Sequence, residues 1–406
     1  MDRERRIQKV LQGAVDRGQL AGAVAAVWRD GGIRTACAGW RDMEARLPIE
    51  RDTIFRIASM TKPITSVAAL MLVDEGKIAL HDPISEYAPE FSRMRVLKSP
   101  DGPLDETENS ARAITYEDLL THRSGLTYKD FHRGPIARAY YEALGGDIDS
   151  DIAPDHWIGR LANLPLIGQP GSAMYYGRST DLLGFLIARI EGSSLGAVLE
   201  RRIFGPLGMK DTGFVIPREK QHRRAAAYGF DDAGRLTKRT TWGDAVVPER
   251  PQNMAYESGG QGLWSTIDDY LKFARLFLGD GAVDGVRLLR SETLAKMMTN
   301  QLTDTQPAYP GWLGLQPGRG FGLGVSVVLE TDKTDFMRRG SVGTVSWPGA
   351  FGGWWQADPK QRSIFIFLAH NMVVLAQMAK GVGLGVWAAV EEFQTAAMAL
   401  EREPEL

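Results

Sequence analysis

The spacing of apolar residues at the start of the chain predicts a helix followed by a β-hairpin. In RRIQKVLQGAVDRG, apolar positions such as Ile7 and Leu11 recur along one helical face. Two apolar runs follow, joined by Asp30-Gly31-Gly32, which is a typical hairpin turn. The next run, SMTKPITSVAALMLVDEGK, predicts a helix that begins near Ser59 and ends at Gly76.

Helical patterns dominate the middle of the chain. They occur in DHWIGRLANLPL, in TDLLGFLIARIEG and in TIDDYLKFARLFLGDG, where Thr266 is a candidate N-cap. Between the helix that ends at Gly76 and the helix of DHWIGRLANLPL, polar residues from about 80 to 130 predict loops and short helices. The run DTGFVIPREKQHRRAAAYGFDDAGRLTK resembles strands joined by a turn at 231–234.

Strand patterns return toward the C-terminus, in FGLGVSVVLE, GAFGGWWQADP and SIFIFLAH, and WAAVEEFQTAAMAL predicts a terminal helix. Strands therefore lie near both ends of the chain, with mostly helices between them. This order favours an α/β fold of the α+β type, in which both termini build one sheet domain and a mostly helical domain is inserted.

Composition and charge narrow the class of protein. The chain has 406 residues, 44% hydrophobic and 24% charged, and its net charge is −2, so we expect neither a nucleic-acid nor a membrane partner. No apolar run approaches the roughly 20 residues that span a bilayer. The charged N-terminus lacks the pattern of a secretory signal, and we expect a soluble cytoplasmic protein. Cys37 is the single cysteine, and its apolar surroundings predict a buried structural thiol.

Ser59 and Lys62 are the first candidates for chemistry. At three residues apart they are neighbours on one helical face, at a helix start where free N–H groups would favour an oxyanion. An amine beside a serine can activate its hydroxyl, but a serine at this place is also a common N-cap, and these residues alone leave both readings open. GSSLG at 192–196 matches a nucleophile elbow, but a helix precedes it, which favours an N-cap at Ser193 or Ser194.

Metal and cofactor motifs are weak throughout. None of the six histidines forms H-E-x-x-H, and we interpret His122 as structural. The sequence contains no Walker or Rossmann pattern. We therefore expect no metal and no cofactor.

Six stretches from about residue 50 to 370 match a family pattern when they are taken in order: FRIASMTKPITSVAALMLVDEGKIALHDPISEYAPEF, YEDLLTHRSGL, PGSAMYYGRSTDLLG, FGPLGMKDTGF, SGGQGLWSTIDDYLKFA and WPGAFGGWWQADP. Together they resemble the serine β-lactamase-like superfamily. Within it the similarity is greatest to family VIII carboxylesterases, which are related to class C β-lactamases. The resemblance implies an antiparallel sheet flanked by helices. We expect 1–90 with 215–245 and 320–406 to form the sheet domain, 91–214 with 246–319 the helical domain, and the active site to lie between them.

The resemblance also implies roles for individual residues. Ser59 and Lys62 match the S-x-x-K nucleophile motif, and Tyr176 in YGRSTDLLG matches the catalytic tyrosine. Trp347-Pro348-Gly349 matches the strand motif that is K-T-G in β-lactamases. The backbone N–H groups of Ser59 and Ala350 would then form the oxyanion hole. The candidate substrate-binding residues are Trp347, Gly349, Phe351, Tyr128, Tyr309, Trp312 and Trp354.

Two departures from the β-lactamase pattern change the expected substrate. Arg178 stands where β-lactamases have Asn, and Trp347 stands where they have the Lys that holds a substrate carboxylate. The expected function is a serine carboxylesterase that hydrolyses small neutral esters through an acyl-enzyme on Ser59. The alternatives are a β-lactamase, D-amino-acid peptidase or acyltransferase of the same fold, and a non-catalytic scaffold.

The identity of the general base stays open at the level of sequence. Lys and Tyr both have unperturbed pKa values near 10, so about one in a thousand of each is free base at neutral pH. A charged Lys62 would stabilise an ionised Tyr176, and that tyrosinate would raise the pKa of the lysine. This coupling favours Tyr176 as the base beside a charged Lys62, over a desolvated, neutral Lys62.

Overall fold

The computed structural model of the protein describes residues 3–132, 134–145, 150–239, 255–303, 306, 308–309 and 317–401. In these residues the strands are β1 (Gly22–Arg29), β2 (Gly32–Asp42), β3 (Leu47–Pro48), β4 (Phe55–Arg56), β5 (Arg95–Leu97), β6 (Thr107–Asn109), β7 (Met174–Tyr175), β8 (Tyr228–Phe230), β9 (Leu236–Lys238), β10 (Trp264–Ser265), β11 (Ala282–Val283), β12 (Val286–Arg287), β13 (Ala308–Tyr309), β14 (Arg319–Phe321), β15 (Ser326–Val328), β16 (Val345–Gly349), β17 (Gly353–Asp358) and β18 (Ser363–Ala369).

The helices occupy the middle of the chain and its two ends. They are α1 (Arg3–Asp16), α2 (Thr61–Asp74), α3 (Tyr116–Leu120), α4 (Pro135–Leu144), α5 (Pro154–Ala162), α6 (Ser179–Glu191), α7 (Leu195–Leu199), α8 (Gly205–Leu207), α9 (Ile267–Ala274), α10 (Ser291–Met297), α11 (Leu375–Met378) and α12 (Gly385–Glu401). Short 3-10 helices include Ala58–Met60 and Arg218–Arg223.

One eight-stranded sheet organises the fold, in the order β14-β15-β16-β17-β18-β1-β2-β3. Each neighbouring pair in it is antiparallel. The first strand pairs with the last, with Val24 opposite Leu368, so residues from both ends of the chain build the same sheet. The predicted α+β fold, an antiparallel sheet built from both termini, is confirmed. The domain boundaries stay a prediction.

Alternation along the strands separates two apolar layers. On one face, Ala25 and Phe367 pack with residues of α1 and α12, such as Leu11 and Phe393. On the other face, residues such as Val24 pack with α2 and the helices of the middle of the chain. Because successive side chains of a strand point to opposite faces, each central strand contributes to both layers. The sheet is therefore covered by an apolar layer on both faces, and these layers hold its edges and end loops in place.

Two local expectations need correction. The run before Tyr228 was expected to be strand, but residues Arg218–Arg223 form a 3-10 helix, which begins directly after Pro217. Proline fixes φ and lacks an N–H, which disfavours a paired strand at that point. Cys37 is half-buried rather than buried, and desolvation still raises the pKa of its thiol to about 11.

Within the described ranges, none of the helices is, by itself, long and apolar enough to cross a bilayer. The bent pair Ser179–Glu191 and Leu195–Leu207 reaches the required length and composition only when the two are taken together.

Candidate active site

Ser59 lies in a tight turn immediately before helix α2. The turn is the 3-10 helix Ala58–Met60, and Ala58 adopts a φ of 45°, a left-handed conformation that is costly for a residue with a side chain. The surrounding chain holds this turn in place: Ile57 N–H donates to Leu263 O at 3.0 Å, and the Tyr270 hydroxyl donates to Met60 O at 3.0 Å. The strained turn is therefore fixed from both sides by buried hydrogen bonds.

The end of β16 packs closely against the same turn. A Cβ added to Gly349 would lie 2.5 Å from the carbonyl oxygen of Ile57, so any larger residue would push the strand away. This contact brings the strand motif that begins at Trp347 next to the Ser59 turn. It leaves the oxyanion-hole role of Ser59 and Ala350 a prediction.

The three residues expected to carry the chemistry lie together. The Oγ of Ser59 is 3.1 Å from Lys62 Nζ and 2.8 Å from the Tyr176 hydroxyl. Ser59 is 8% exposed, and the other two side chains are buried. Lys62 reaches Ser59 because they are three residues apart at a helix start, whereas Tyr176 follows the short strand β7, far away in sequence.

Lys62 has two further partners that the sequence did not assign to it. Its Nζ donates to the carbonyl oxygen of Gly260 at 2.8 Å and lies 3.2 Å from the Tyr128 hydroxyl. Tyr128 was expected to line the substrate site. Its hydroxyl contacts the amine beside the candidate nucleophile, and a role in binding substrate stays a prediction.

Tyr176 sits in an aromatic cluster that orients its hydroxyl. Trp347 Nε1 donates to the Tyr176 oxygen at 3.2 Å, and the rings of Phe131 and His122 pack against the Tyr176 ring. An indole N–H can only donate, so the phenol accepts there and its own proton is left for Ser59. His122 also brackets Tyr176 in the chain: its backbone oxygen accepts from Tyr175 N–H at 2.7 Å and its Nδ1 from Gly177 N–H at 3.4 Å.

Burial shifts the two candidate bases in opposite directions. Desolvation lowers the pKa of Lys62 to about 7, against the nearby Asp181 carboxylate, which favours the charged amine. Desolvation raises the pKa of Tyr176, only partly offset by its hydrogen bonds to Ser59 and Trp347. Both directions favour neutral side chains, because burial penalises the charged form of each. They disagree with the sequence expectation of a charged Lys62 beside an ionised Tyr176.

A buried ion pair behind Lys62 was not anticipated. Arg178 Nη1 lies 3.7 Å from Asp181 Oδ2 and 3.2 Å from the Tyr256 hydroxyl. Asp181 accepts hydrogen bonds from Ser258 Oγ and, at 3.2 Å, from Gly260 N–H. The signal was present in YGRSTDLLG and SGGQG, but no local spacing links these two stretches to each other.

The remaining candidate substrate residues are dispersed. Phe351 is buried beside Ala58, with its ring 4.9 Å from that of His370. The backbone of Tyr309 pairs with Tyr175 in parallel register, its side chain is outside the described part of the structure, and so is all of Trp312.

The expectation for Trp354 is wrong. Trp354 packs with the layer of α1 and α12, on the face of the sheet opposite Trp347. The reason is the alternation of side chains along β17: Trp355, one residue later, is directly opposite Trp347 in register. Trp354 therefore stabilises the core and does not line the Ser59 site.

In the ranges given above, no group of three or more His, Cys, Asp or Glu side chains is arranged to hold a metal ion.

Comparison with known proteins is consistent across sequence and structure. A sequence model of the family described as Beta-lactamase matches residues 7–381. An uncharacterized protein of Mycobacterium tuberculosis is 45% identical, over 90% of this chain and 89% of its own length. Esterase EstB of Burkholderia gladioli is 32% identical, over 87% and 86% of the two chains.

A solved structure of a hydrolase has a similar fold. It is described as EstCE1, a hydrolase with promiscuous acyltransferase activity, and superposes with a TM-score of 0.76 at 26% identity, covering 95% of this chain and 98% of the other. The match of the family model to most of the chain establishes its family. The chain belongs to the beta-lactamase family and is a serine hydrolase of that fold.

Proposed function

We propose that the protein is a carboxylesterase that hydrolyses small neutral esters through an acyl-enzyme on Ser59. The observation that carries this proposal is the position of the Ser59 hydroxyl, within hydrogen-bonding distance of both Lys62 Nζ and the Tyr176 hydroxyl. A serine is a weak nucleophile at its own pKa, and an adjacent base is what activates it.

The hydrogen-bond directions suit Lys62 as that base. A neutral amine has two N–H donors and one lone pair; the oxygens of Gly260 and Tyr128 can take the two donors. The lone pair is then left for the Ser59 hydroxyl, which in turn accepts from Tyr176. In this arrangement Lys62 removes the proton as Ser59 Oγ attacks the ester carbonyl.

The rest of the proposed cycle uses the same three side chains. The Ser59–carbonyl bond forms and the carbonyl oxygen becomes negative; in this proposal that oxygen accepts hydrogen bonds from the N–H groups of Ser59 and Ala350. The bond to the leaving alkoxide then breaks, and the alkoxide takes a proton from Tyr176, which regains one from Lys62. Water attacks the acyl-enzyme by the reverse sequence and releases the acid.

The preference for a neutral substrate rests on where the cations are. The strand motif offers the indole of Trp347 where a β-lactamase has lysine. Arg178 is 1% exposed and is engaged by Asp181, Tyr256 and the face of Tyr128. Neither residue is suited to hold a substrate carboxylate. The name of the Burkholderia relative, an esterase, supports an ester as the substrate.

The experiment compares p-nitrophenyl butyrate with a cephalosporin, in the wild-type protein and in Ser59→Ala. We expect kcat/KM for the ester to exceed that for the cephalosporin by at least about 10³, because the carboxylate of the lactam lacks a cationic partner. Equal turnover of both substrates would overturn the ester assignment. Ester hydrolysis by Ser59→Ala at the wild-type rate would overturn the role of Ser59.

Acyl transfer is a second candidate, favoured by the description of EstCE1. An alcohol bound in place of water would attack the same acyl-enzyme. Adding a primary alcohol during turnover of p-nitrophenyl butyrate and measuring the butyrate ester formed separates the two activities. A product ratio no higher than the ratio of alcohol to water concentrations would rule out a specific acceptor site.

A further inference from the structure

The buried ion pair of Arg178 and Asp181 is connected to the amine of Lys62 through residues that contact both Asp181 and Lys62. The two side chains are 1% and 0% exposed, both at the start of α6. Charges buried to this degree are costly unless they are paired, and such pairs are weak sources of stability. The pair therefore calls for an explanation other than packing.

Asp181 accepts hydrogen bonds from two of the three residues that hydrogen-bond to Lys62 Nζ. Its Oδ2 accepts from the Tyr128 hydroxyl at 3.5 Å, and its Oδ1 accepts from Gly260 N–H at 3.2 Å. These two residues present their oxygens to Lys62 Nζ at 3.2 and 2.8 Å. A Cβ at Gly260 would lie 2.8 Å from Asp181 Oδ2, so glycine permits the close approach. Asp181 is thus placed to position the amine beside Ser59.

Arg178 changes the electrostatic environment of the Lys62 amine. The titratable groups facing Lys62 are Tyr128 from the loop after α3, Tyr176 and His122 beside β7, and the two charges of α6. Residues 258–260 present a carbonyl oxygen to it. Burial keeps the two phenols and the His122 imidazole neutral. The Asp181 carboxylate alone would favour the charged amine, and the Arg178 guanidinium opposes it.

We propose that Asp181 positions the Lys62 amine and that Arg178 cancels the negative charge of Asp181, so that Lys62 stays neutral and can accept the Ser59 proton. Both are positioning residues, acting through Lys62 and not on substrate. The proposal rests on the proposed function, in which Lys62 is the base. It also gives a purpose to Arg178, a departure from the β-lactamase pattern.

The test is the pH dependence of kcat/KM for p-nitrophenyl butyrate in Arg178→Met and Asp181→Asn. The rate requires a neutral Lys62, so it rises with pH through the pKa of that amine. Removing the guanidinium should move this rising limb to higher pH by about one pH unit, and removing the carboxylate should move it to lower pH by a similar amount. Asp181→Asn should also lower the plateau rate about tenfold, because the amine loses its orientation.

Opposite shifts are the result that a merely structural pair would not give. Shifts in the same direction, or no shift in either variant, would overturn the proposal. Arg178→Lys, which keeps the charge, should leave the limb close to its wild-type position. Arg138→Met is the matched surface control: Arg138 is 83% exposed and pairs with Glu142, and its loss should not move the limb.

Folding and the proposed function are controlled separately. Either single variant leaves a buried charge alone and should melt at a lower temperature than wild type. The double variant Arg178→Met/Asp181→Asn removes both charges, should recover part of the melting temperature, and should have a limb between those of the single variants. If the single variants do not fold, a double variant whose rising limb lies more than about one pH unit from that of the wild type overturns the proposed charge balance.

Labelling of Ser59 in the wild type by a fluorophosphonate probe distinguishes failure of the proposed function from failure of this inference. An unlabelled, inactive wild type overturns the proposed function. A labelled protein without opposite shifts overturns only this inference.

Discussion

Two segments of the chain match serine-nucleophile patterns, and the structure gives them very different surroundings. Ser59, of S-x-x-K, is buried between an amine and a phenol. Ser194, of GSSLG, is exposed at the start of α7, where its Oγ accepts from Ala197 N–H at 3.3 Å and lies 3.4 Å from Glu257 Oε1. α6 precedes that turn, and Gly192 caps its C-terminus in a left-handed conformation, so a helix stands where a nucleophile elbow needs a strand.

The difference lies in the partners of each hydroxyl. The Ser59 hydroxyl contacts two groups that can exchange a proton with it, in a site where burial moves the pKa of the amine toward neutrality. The Ser194 oxygen satisfies a helix N–H that would otherwise lack a partner, which is the ordinary work of an N-cap. A pattern of four or five residues does not distinguish these situations, whereas the long-range contacts do.

Ser59→Ala gives the largest expected effect. Ester hydrolysis should fall by at least about 10³, because the nucleophile is lost while the fold is kept. The measurement is kcat for p-nitrophenyl butyrate, with a circular-dichroism melt as the check on folding. A folded variant that keeps a tenth of the wild-type rate would contradict the account.

Lys62→Met should cost about 10² to 10⁴ in kcat/KM, the usual contribution of a general base. It should also remove the rising limb from the plot of kcat/KM against pH. In the wild type that limb should lie near pH 7, since burial lowers the pKa of Lys62 to about 7 and the rate needs the neutral amine. A limb that persists unchanged in the variant would assign it to another group and return Tyr176 to consideration as the base.

Trp347→Phe tests the orientation of Tyr176. The change removes the indole N–H that donates to the Tyr176 oxygen at 3.2 Å and keeps an aromatic ring in place. The loss of one buried hydrogen bond is about 1 to 1.5 kcal/mol, so we expect a five- to tenfold decrease in kcat with about the same KM. Trp355→Phe, on the same face but outside that contact, is the control. An effect confined to KM would show that the indole binds substrate only.

Ser194→Ala should have the smallest effect on activity, within about twofold of wild type. Loss of the cap should lower the free energy of unfolding by about 1 kcal/mol. Urea titration measures the stability and the ester assay measures the activity. Loss of hydrolysis without loss of stability would reverse the comparison of the two serines.

The sequence predicted the part of the site that is local and the part that follows a family pattern. Helical spacing placed Lys62 beside Ser59. Tyr176, separated from Ser59 by 117 residues, entered only through the resemblance. The contacts of Asp181 with Gly260 and Tyr128 join segments whose packing no local periodicity encodes.

Strand periodicity carries more of the fold than the order of the elements alone. Hydrophobic patterning indicated a sheet drawn from both termini, which the pairing of β1 with β18 confirms. The two-residue period of a strand requires adjacent Trp354 and Trp355 to face opposite sides of the sheet, so only one of them can face the layer of Trp347. The 3-10 helix after Pro217 depends on tertiary contacts in addition to the proline, such as the bond from Arg223 Nε to Asp52 O at 3.0 Å.

The most direct test of the central claim is to identify the acylated residue. Wild-type protein is mixed with p-nitrophenyl butyrate, quenched in acid during turnover and digested, and the peptides are analysed by mass spectrometry. The account predicts a butyryl adduct on the peptide containing Ser59, present in Ser194→Ala and absent in Ser59→Ala. An adduct on the peptide containing Ser194, or its persistence in Ser59→Ala, would contradict it.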